Sequence, residues 1–278
     1  MFEGGITMVE DDQTKTLAQW IRESRNIVFF GGAGVSTESG LKDFRSPDGL
    51  YNQKYSDPPE VILSHSYYKR HPAEFYRFYR DKMLAPDAKP SGAHRALAAM
   101  EQAGKLSAVV TQNIDGLHQA AGSRKVYELH GSVFSNHCTR CGAFFGLKEP
   151  DGILGRLDED GIPRCTCGGI IKPDVVLYEE SLDQTTIENS AKAIEEADML
   201  IIGGTSLAVY PAAGLIEFFH ASQPGHHLVL INKTPTPKDE RAELLIRESI
   251  GKVLMESCRM AGIQPVKEPP VPEKEGKA

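Results

Sequence analysis

Asn26-Ile27-Val28-Phe29-Phe30-Gly31-Gly32-Ala33-Gly34-Val35-Ser36-Thr37 is the stretch that decides the fold. An apolar run of strand length empties into glycines, whose missing side chains let backbone N–H groups approach a pyrophosphate closely. The glycines alone fit an ordinary tight turn as well as a phosphate cradle. A dinucleotide-binding dehydrogenase would carry G-x-G-x-x-G and an acidic residue about 20 positions on at a strand end. Here the third glycine position is Thr37, and the residues near 52 carry no strand pattern.

Working outward, residues 14–24 read as an amphipathic helix with Leu17, Trp20 and Ile21 at helical spacing. Short apolar runs recur at Ala108 to Val110, Val126 to Leu129, Val175 to Tyr178, Met199 to Ile202 and Leu228 to Ile231, with helical patterns at 184–197 and 210–220. Strands alternating with helices predict an α/β fold, a mainly parallel sheet covered on both faces. Two stretches break the rhythm. Residues 52–104 read as helical, with Asp57 as N-cap, proline in the first turn and Glu60 as the capping-box acid. Residues 136–172 hold four cysteines with little periodicity. Both are expected to be inserts that form one smaller domain beside a large domain of 11–51, 105–135 and 173–262. The tail 263–278, rich in proline and charge, is expected to be disordered.

The 278 residues suffice for a substantial core, and the formal charge of −7 argues against a broad basic surface for nucleic acid. The first residues show no basic, apolar and small-residue succession of a secretory signal, and no apolar run approaches the roughly 20 residues of a membrane span. The expectation is a cytoplasmic protein with neither a nucleic-acid nor a membrane partner. Cys138-x-x-Cys141 and Cys165-x-Cys167, with residues 142–164 between the pairs, give two close thiolate pairs able to meet around one tetrahedral Zn²⁺. Four cysteines leave no open coordination position, so such a zinc would be structural. Free buried thiols are the plain alternative, and the second pair is tighter than the usual two-residue gap. Cys258, far from the others, reads as simply buried.

Polar residues gather beyond two of the expected strands: Thr111-Gln112-Asn113-Ile114-Asp115-Gly116-Leu117-His118, and Glu128-Leu129-His130-Gly131. Active residues of open α/β sheets collect at carboxyl strand ends. A lone histidine in such a place is more often structural, but imidazole takes a proton near neutral pH, and two polar strand ends with a glycine loop make a coherent site.

Together these motifs resemble those of the sirtuins: Gly32-Ala33-Gly34-Val35-Ser36 through Asp43-Phe44-Arg45, Thr111 to Asp115, His130-Gly131, both cysteine pairs, Lys172-Pro173-Asp174-Val175-Val176 and Gly204-Thr205-Ser206-Leu207. The likeness spans about 14–260 and looks like the bacterial branch. It implies a Rossmann-like large domain, a small domain of zinc module plus helices, and NAD⁺ with an acyl-lysine protein or peptide between them. In that family the acyl oxygen attacks C1′ of the nicotinamide ribose as nicotinamide leaves. A histidine, matched here by His130, then acts as base toward a ribose hydroxyl, giving lysine, nicotinamide and O-acyl-ADP-ribose. The resemblance further implies that Gly32, Ala33, Gly34 and Thr37 line the phosphates, and that Asp43, Phe44 and Arg45 lie on a loop closing over the cofactor. Gln112 and Asn113 would meet the ribose, and Ile114 and Asp115 the nicotinamide carboxamide. Gly204, Thr205, Ser206, Asn232 and Ile250 would meet the adenosine half, and Val176 and Tyr178 the substrate. Mono-ADP-ribosyl transfer, which breaks the same glycosidic bond, is the alternative enzyme reading; a zinc-bearing interaction module is the non-enzymatic one.

The chain departs from the family pattern at Lys42, where proline is usual, and at Glu179, where glycine is usual. The first change predicts a looser cofactor loop, the second a restricted edge for substrate pairing. Sirtuins that remove acidic acyl groups resemble one another in a Tyr-x-x-Arg pair. Here Tyr76 fits the first position, Tyr79 stands at the second, and Arg80 is rotated about 100° further around the helix. The expected preference is for neutral acyl groups.

Overall fold

The computed structural model describes residues 10–43, 49–50, 55, 57–148 and 152–267. Helix α1 (Glu10–Glu23) leads into β1 (Ile27–Gly31). The short helices α2 (Pro59–Ile62), α3 (His65–Arg70) and α4 (Pro72–Phe78) follow, then a π turn over Tyr79–Met83 and helix α5 (Gly92–Gln102). The remaining order is β2 (Leu106–Thr111), α6 (Leu117–Ala120), β3 (Val126–Glu128), β4 (Gly131–Cys138), β5 (Phe144–Phe145), β6 (Ile171–Val175), α7 (Gln184–Glu195), β7 (Met199–Gly203), β8 (His227–Ile231), β9 (Leu244–Ile246) and α8 (Ile250–Met260).

Six parallel strands form the main sheet in the order β3-β2-β1-β7-β8-β9. Every residue of β1 and of β7 is buried, so their uninterrupted apolar runs face packing on both sides. Alternation divides the load. Ile27 and Phe29 join Leu17, Leu97 and Leu254 on one face, while Val28 and Phe30 join Ile194, Leu215 and Ile216 on the other. The chain winds one way from β1 to β2 and β3 and the other way to β7, β8 and β9, which opens a crevice at the carboxyl ends of β1 and β7.

A second sheet, β5-β4-β6, is antiparallel and has its own core, in which Tyr68, Phe75, Tyr76 and Tyr79 pack against Val133, Ile171 and Leu177. Packing redraws the expected inserts. Helix α5 lies in the core of the main sheet through Ala93, Ala96, Leu97 and Met100, so only the earlier part of 52–104 packs with the cysteine region. The cysteine region itself reaches back to Gly131 and on to Val175, because β4 pairs with β6 from its first residue. Val175 to Tyr178 is no strand of the main sheet: Val175 closes β6, and Tyr178 forms a single bridge to Ser64. The cap of α2 also differs, with Pro58 at the N-cap position and Asp57 accepting a 3.2 Å hydrogen bond from Tyr67 Oη.

The 210–220 pattern is a 3₁₀ helix at Ala212–Phe218, and β9 is a three-residue run set among charges that carried no strand signal. Residues 263–267, expected to be disordered, are held by Ile263 N–H on Cys258 O (2.8 Å) and Val266 N–H on Arg95 O (3.4 Å); the rest of the tail, 268–278, lies outside the described residues. Cys258 is buried, as expected. Among the described residues no helix is long and apolar enough to cross a membrane.

Candidate active site

The glycine loop after β1 and the turn after β7 touch at the crevice. Gly34 N–H donates to Gly204 O (2.8 Å), and a Cβ on Gly34 would stand 2.7 Å from the Gly204 Cα. Any larger residue would push the two loops apart, so this glycine has a packing reason whatever the loops bind. Beside them the carboxyl end of β2 delivers Gln112, whose amide donates to Thr205 Oγ1 (3.1 Å), and Asn113, whose amide donates to Ser36 Oγ (3.0 Å). Ser36 passes the interaction on to Asp115 Oδ2 (2.7 Å), and Leu117 N–H reaches Asp115 Oδ1 (2.9 Å). Burial raises the Asp115 pKa, and these two donors act against that rise. Ser36 is therefore the hub of the polar cluster. Sequence reading placed it only inside the glycine motif.

His130 follows the end of β3. Its Nδ1 lies 2.9 Å from Gln112 O. A carbonyl only accepts, so Nδ1 carries the proton and the neutral ring keeps an acceptor lone pair on Nε2. Burial lowers the His130 pKa below 6.5, outweighing the upward pull of that hydrogen bond. Immediately afterwards Gly131 takes φ +74°, and a Cβ there would collide with Asp174 O. The turn thus requires glycine for the chain to pass from the parallel sheet into β4 with His130 at the junction.

A cavity of about 700 Å³ runs from the glycine loops past His130 to the helical module. Of the expected contacts, Ala33, Gly34, Asp43, Gln112, Asn113, Ile114, Asp115, His130, Val176, Tyr178, Gly204, Thr205, Ser206 and Asn232 line it. Gly32 lies behind the rim against Thr205, and Thr37 turns its hydroxyl to Gly34 O (3.0 Å). Ile250 does not line the cavity. It is buried in the main core at the start of α8 with its Cδ1 over Gly203, because an isoleucine at a helix start gains more from the sheet than from a polar crevice. Phe44 and Arg45 lie outside the described residues. The far end of the cavity brings in Leu63, Met83 and Leu84, which no motif had marked, beside Tyr79 and Glu179, which the sequence singled out as departures from family patterns.

The four cysteines converge. The sulfurs of Cys138, Cys141, Cys165 and Cys167 lie within 4.8 Å of one another, with Cys138 to Cys167 at 3.4 Å and Cys141 to Cys165 at 3.7 Å. Zinc–thiolate bonds of about 2.3 Å in a tetrahedron need sulfurs about 3.8 Å apart, so the residues fit the ion. The cradle is shaped for it. Backbone N–H groups of Cys141 and Arg140 favour the Cys138 thiolate, and a Cβ on Gly169 would sit 2.6 Å from that sulfur.

Fold and crevice together define a doubly wound α/β protein of the dinucleotide-binding kind with a zinc-competent module at its side. The chain belongs to the Sir2 family, whose description matches residues 32–211. It is 57% identical over 246 residues to a protein of Clostridium acetobutylicum called NAD-dependent protein deacetylase, covering 87% of this chain and 97% of that one. It is 43% identical to a protein of the same name from Sulfolobus acidocaldarius, covering 86% and 91%. Among solved structures, a Sir2 variant with deacetylated p53 peptide and 3′-O-acetyl ADP ribose matches at TM-score 0.82 and 36% identity, covering 90% of this chain and 99% of that one. A Sir2 complex with p53 peptide and NAD⁺ matches at TM-score 0.78 and 36% identity, covering 90% and 98%.

Proposed function

We propose that this chain is an NAD-dependent protein-lysine deacetylase acting in the cytoplasm, with acyl-lysine segments of proteins as its substrates. NAD, when bound, supplies a ribose carbon with nicotinamide as leaving group and the hydroxyl that receives the acyl group. The residues for the rest are in the cavity. Ala33, Gly34, Gly204 and Thr205 form the side on which phosphates would lie, with Ser206 and Asn232 beyond them toward the adenosine. Gln112 and Asn113 are placed for ribose hydroxyls. Asp115, held by Ser36 and Leu117, presents a fixed carboxylate for an amide, and Ile114 with Leu177 contributes the apolar wall that excludes water.

The observation that carries this reading is the tautomer of His130. With Nδ1 donating to Gln112 O, Nε2 is an acceptor in a cavity shared with the glycine loops, the placement a general base needs to take a proton from a ribose hydroxyl. Val176 and Tyr178 supply the wall along which the substrate main chain would lie. The zinc module, through Cys138, Cys141, Cys165 and Cys167, holds β4 and β6 together and stays out of the chemistry. The test is NAD⁺-dependent release of nicotinamide with an acetyl-lysine peptide, with the products weighed by mass spectrometry. O-acetyl-ADP-ribose and free lysine are expected; ADP-ribose attached to protein would show transferase chemistry instead.

A further inference from the structure

Among the described residues, only Glu179 (φ +76°) and Leu207 (φ +52°) take a left-handed backbone without being glycine. A Cβ makes this region costly, and glutamate lacks the short side chain that lets asparagine or aspartate relieve it locally. Leu207 is buried and fixed through its N–H on Thr205 Oγ1 (3.2 Å), whereas Glu179 is exposed and lines the cavity. Something other than packing must therefore hold it.

The side chain does so. Glu179 Oε2 accepts from Ser66 N–H (2.9 Å) and Oε1 from Ser66 Oγ (3.0 Å), a two-point attachment to α3. The flanking residues continue the seam, since Tyr178 N–H donates to Leu63 O (3.1 Å) and His65 N–H to Tyr178 O (3.0 Å). Glu180 completes it through His65 Nδ1 (2.7 Å) and Lys172 Nζ (3.2 Å). Among the described residues no acceptor meets the Glu179 N–H itself. A rigid wall with an open backbone donor is suited to an extended segment that pairs through its main chain.

We propose that Glu179 is a positioning residue whose carboxylate, clamped on Ser66, holds the Val176 to Glu180 wall in the left-handed turn that receives the substrate's main chain. The proposal rests on the deacetylase reading. It assigns the side chain to peptide affinity and not to chemistry or to NAD.

The test is steady-state kinetics of the full chain with an acetyl-lysine peptide. Glu179→Ala and Glu179→Gly are both expected to raise the peptide KM about tenfold, the scale of lost hydrogen bonds to a charged group, while kcat and the KM for NAD stay within twofold. Glu179→Gln should restore near wild-type KM, because its amide oxygen can accept from Ser66 N–H and its NH₂ can donate to Ser66 Oγ. Ser66→Ala, which keeps the backbone donor, provides a milder second variant, with a KM rise smaller than that of Glu179→Ala. A peptide KM within twofold of wild type for both Glu179→Ala and Glu179→Gly overturns the clamp. So does an impaired Glu179→Ala beside an unimpaired Glu179→Gly, which would leave backbone strain as the whole effect. Wild-type protein that releases no nicotinamide would instead refute the deacetylase reading, so the two failures are distinguishable.

Discussion

A histidine earns a role from what its two nitrogens meet. His130 spends Nδ1 on Gln112 O and keeps Nε2 as an acceptor, so His130→Ala should lower kcat by 10²–10⁴-fold, the usual worth of general-base catalysis, with an unchanged thermal midpoint. Retention of more than about a tenth of turnover would contradict the role. Because burial holds the ring below 6.5, the base form persists into mild acid. The acid limb of kcat/KM should therefore fall below pH 6.5, and a limb centred above 7 would exclude His130 as its source. His118 shows the structural alternative: fully buried, against the His94 ring at 4.6 Å, its pKa is pushed down to about 3. The unfolded chain binds that proton from about 6.5 downward, so stability is full above 6.5 and declines toward pH 3, by at most about 1.4 kcal/mol per pH unit. Urea melts between pH 7.5 and 5 should show this slope flattened in His118→Leu. An unchanged slope would assign acid lability elsewhere.

Among the elements, α4 and the π turn after it carry the prediction about acyl choice. Tyr76 is buried and gives its hydroxyl to Ile171 O (2.6 Å), so its phenol is committed. Tyr79 takes the cavity position, and Arg80 turns its guanidinium to Gly161 O. The nearby Lys82 sets its Nζ over the Tyr55 ring at 5.8 Å. Among the described residues the cations that line the cavity, Lys42 and Lys82, are both exposed, so a distal carboxylate would lose water without gaining a buried cation, a penalty of several kcal/mol. Matched peptides should show kcat/KM for acetyl-lysine at least about 100-fold above succinyl-lysine, since each 1.4 kcal/mol is tenfold. Comparable values for the two would mean that a cation, Arg80 from Gly161 or Lys82 from the Tyr55 ring, moves to meet the carboxylate.

At the scale of the whole molecule the described residues form two main-sheet cores and a third, which alone includes cysteines of the zinc-competent cluster. Cys141→Ser or strong chelation should expose the amides of 59–83 and 131–177 to hydrogen exchange while β1, β2, β7 and β8 stay protected, with activity lost as the cavity wall falls away. Uniform loss of protection, or a metal-free protein that stays active, would refute this division. Residue order alone determined five of the six parallel strands, the glycine loop, the cysteine pairs and the motif residues of the cavity, because these depend on local apolar runs, spacing and strand ends. Tertiary structure decided the rest. Whether α5 belonged to the insert or the main core depended on which surface its alanine face met, and the side chain of Ile250 packs in the main core. The clamp that holds Glu179 in its left-handed turn could not be read from sequence, since the carboxylate finds its donors 113 residues away at Ser66. A contact between distant segments exists only once both are folded into place.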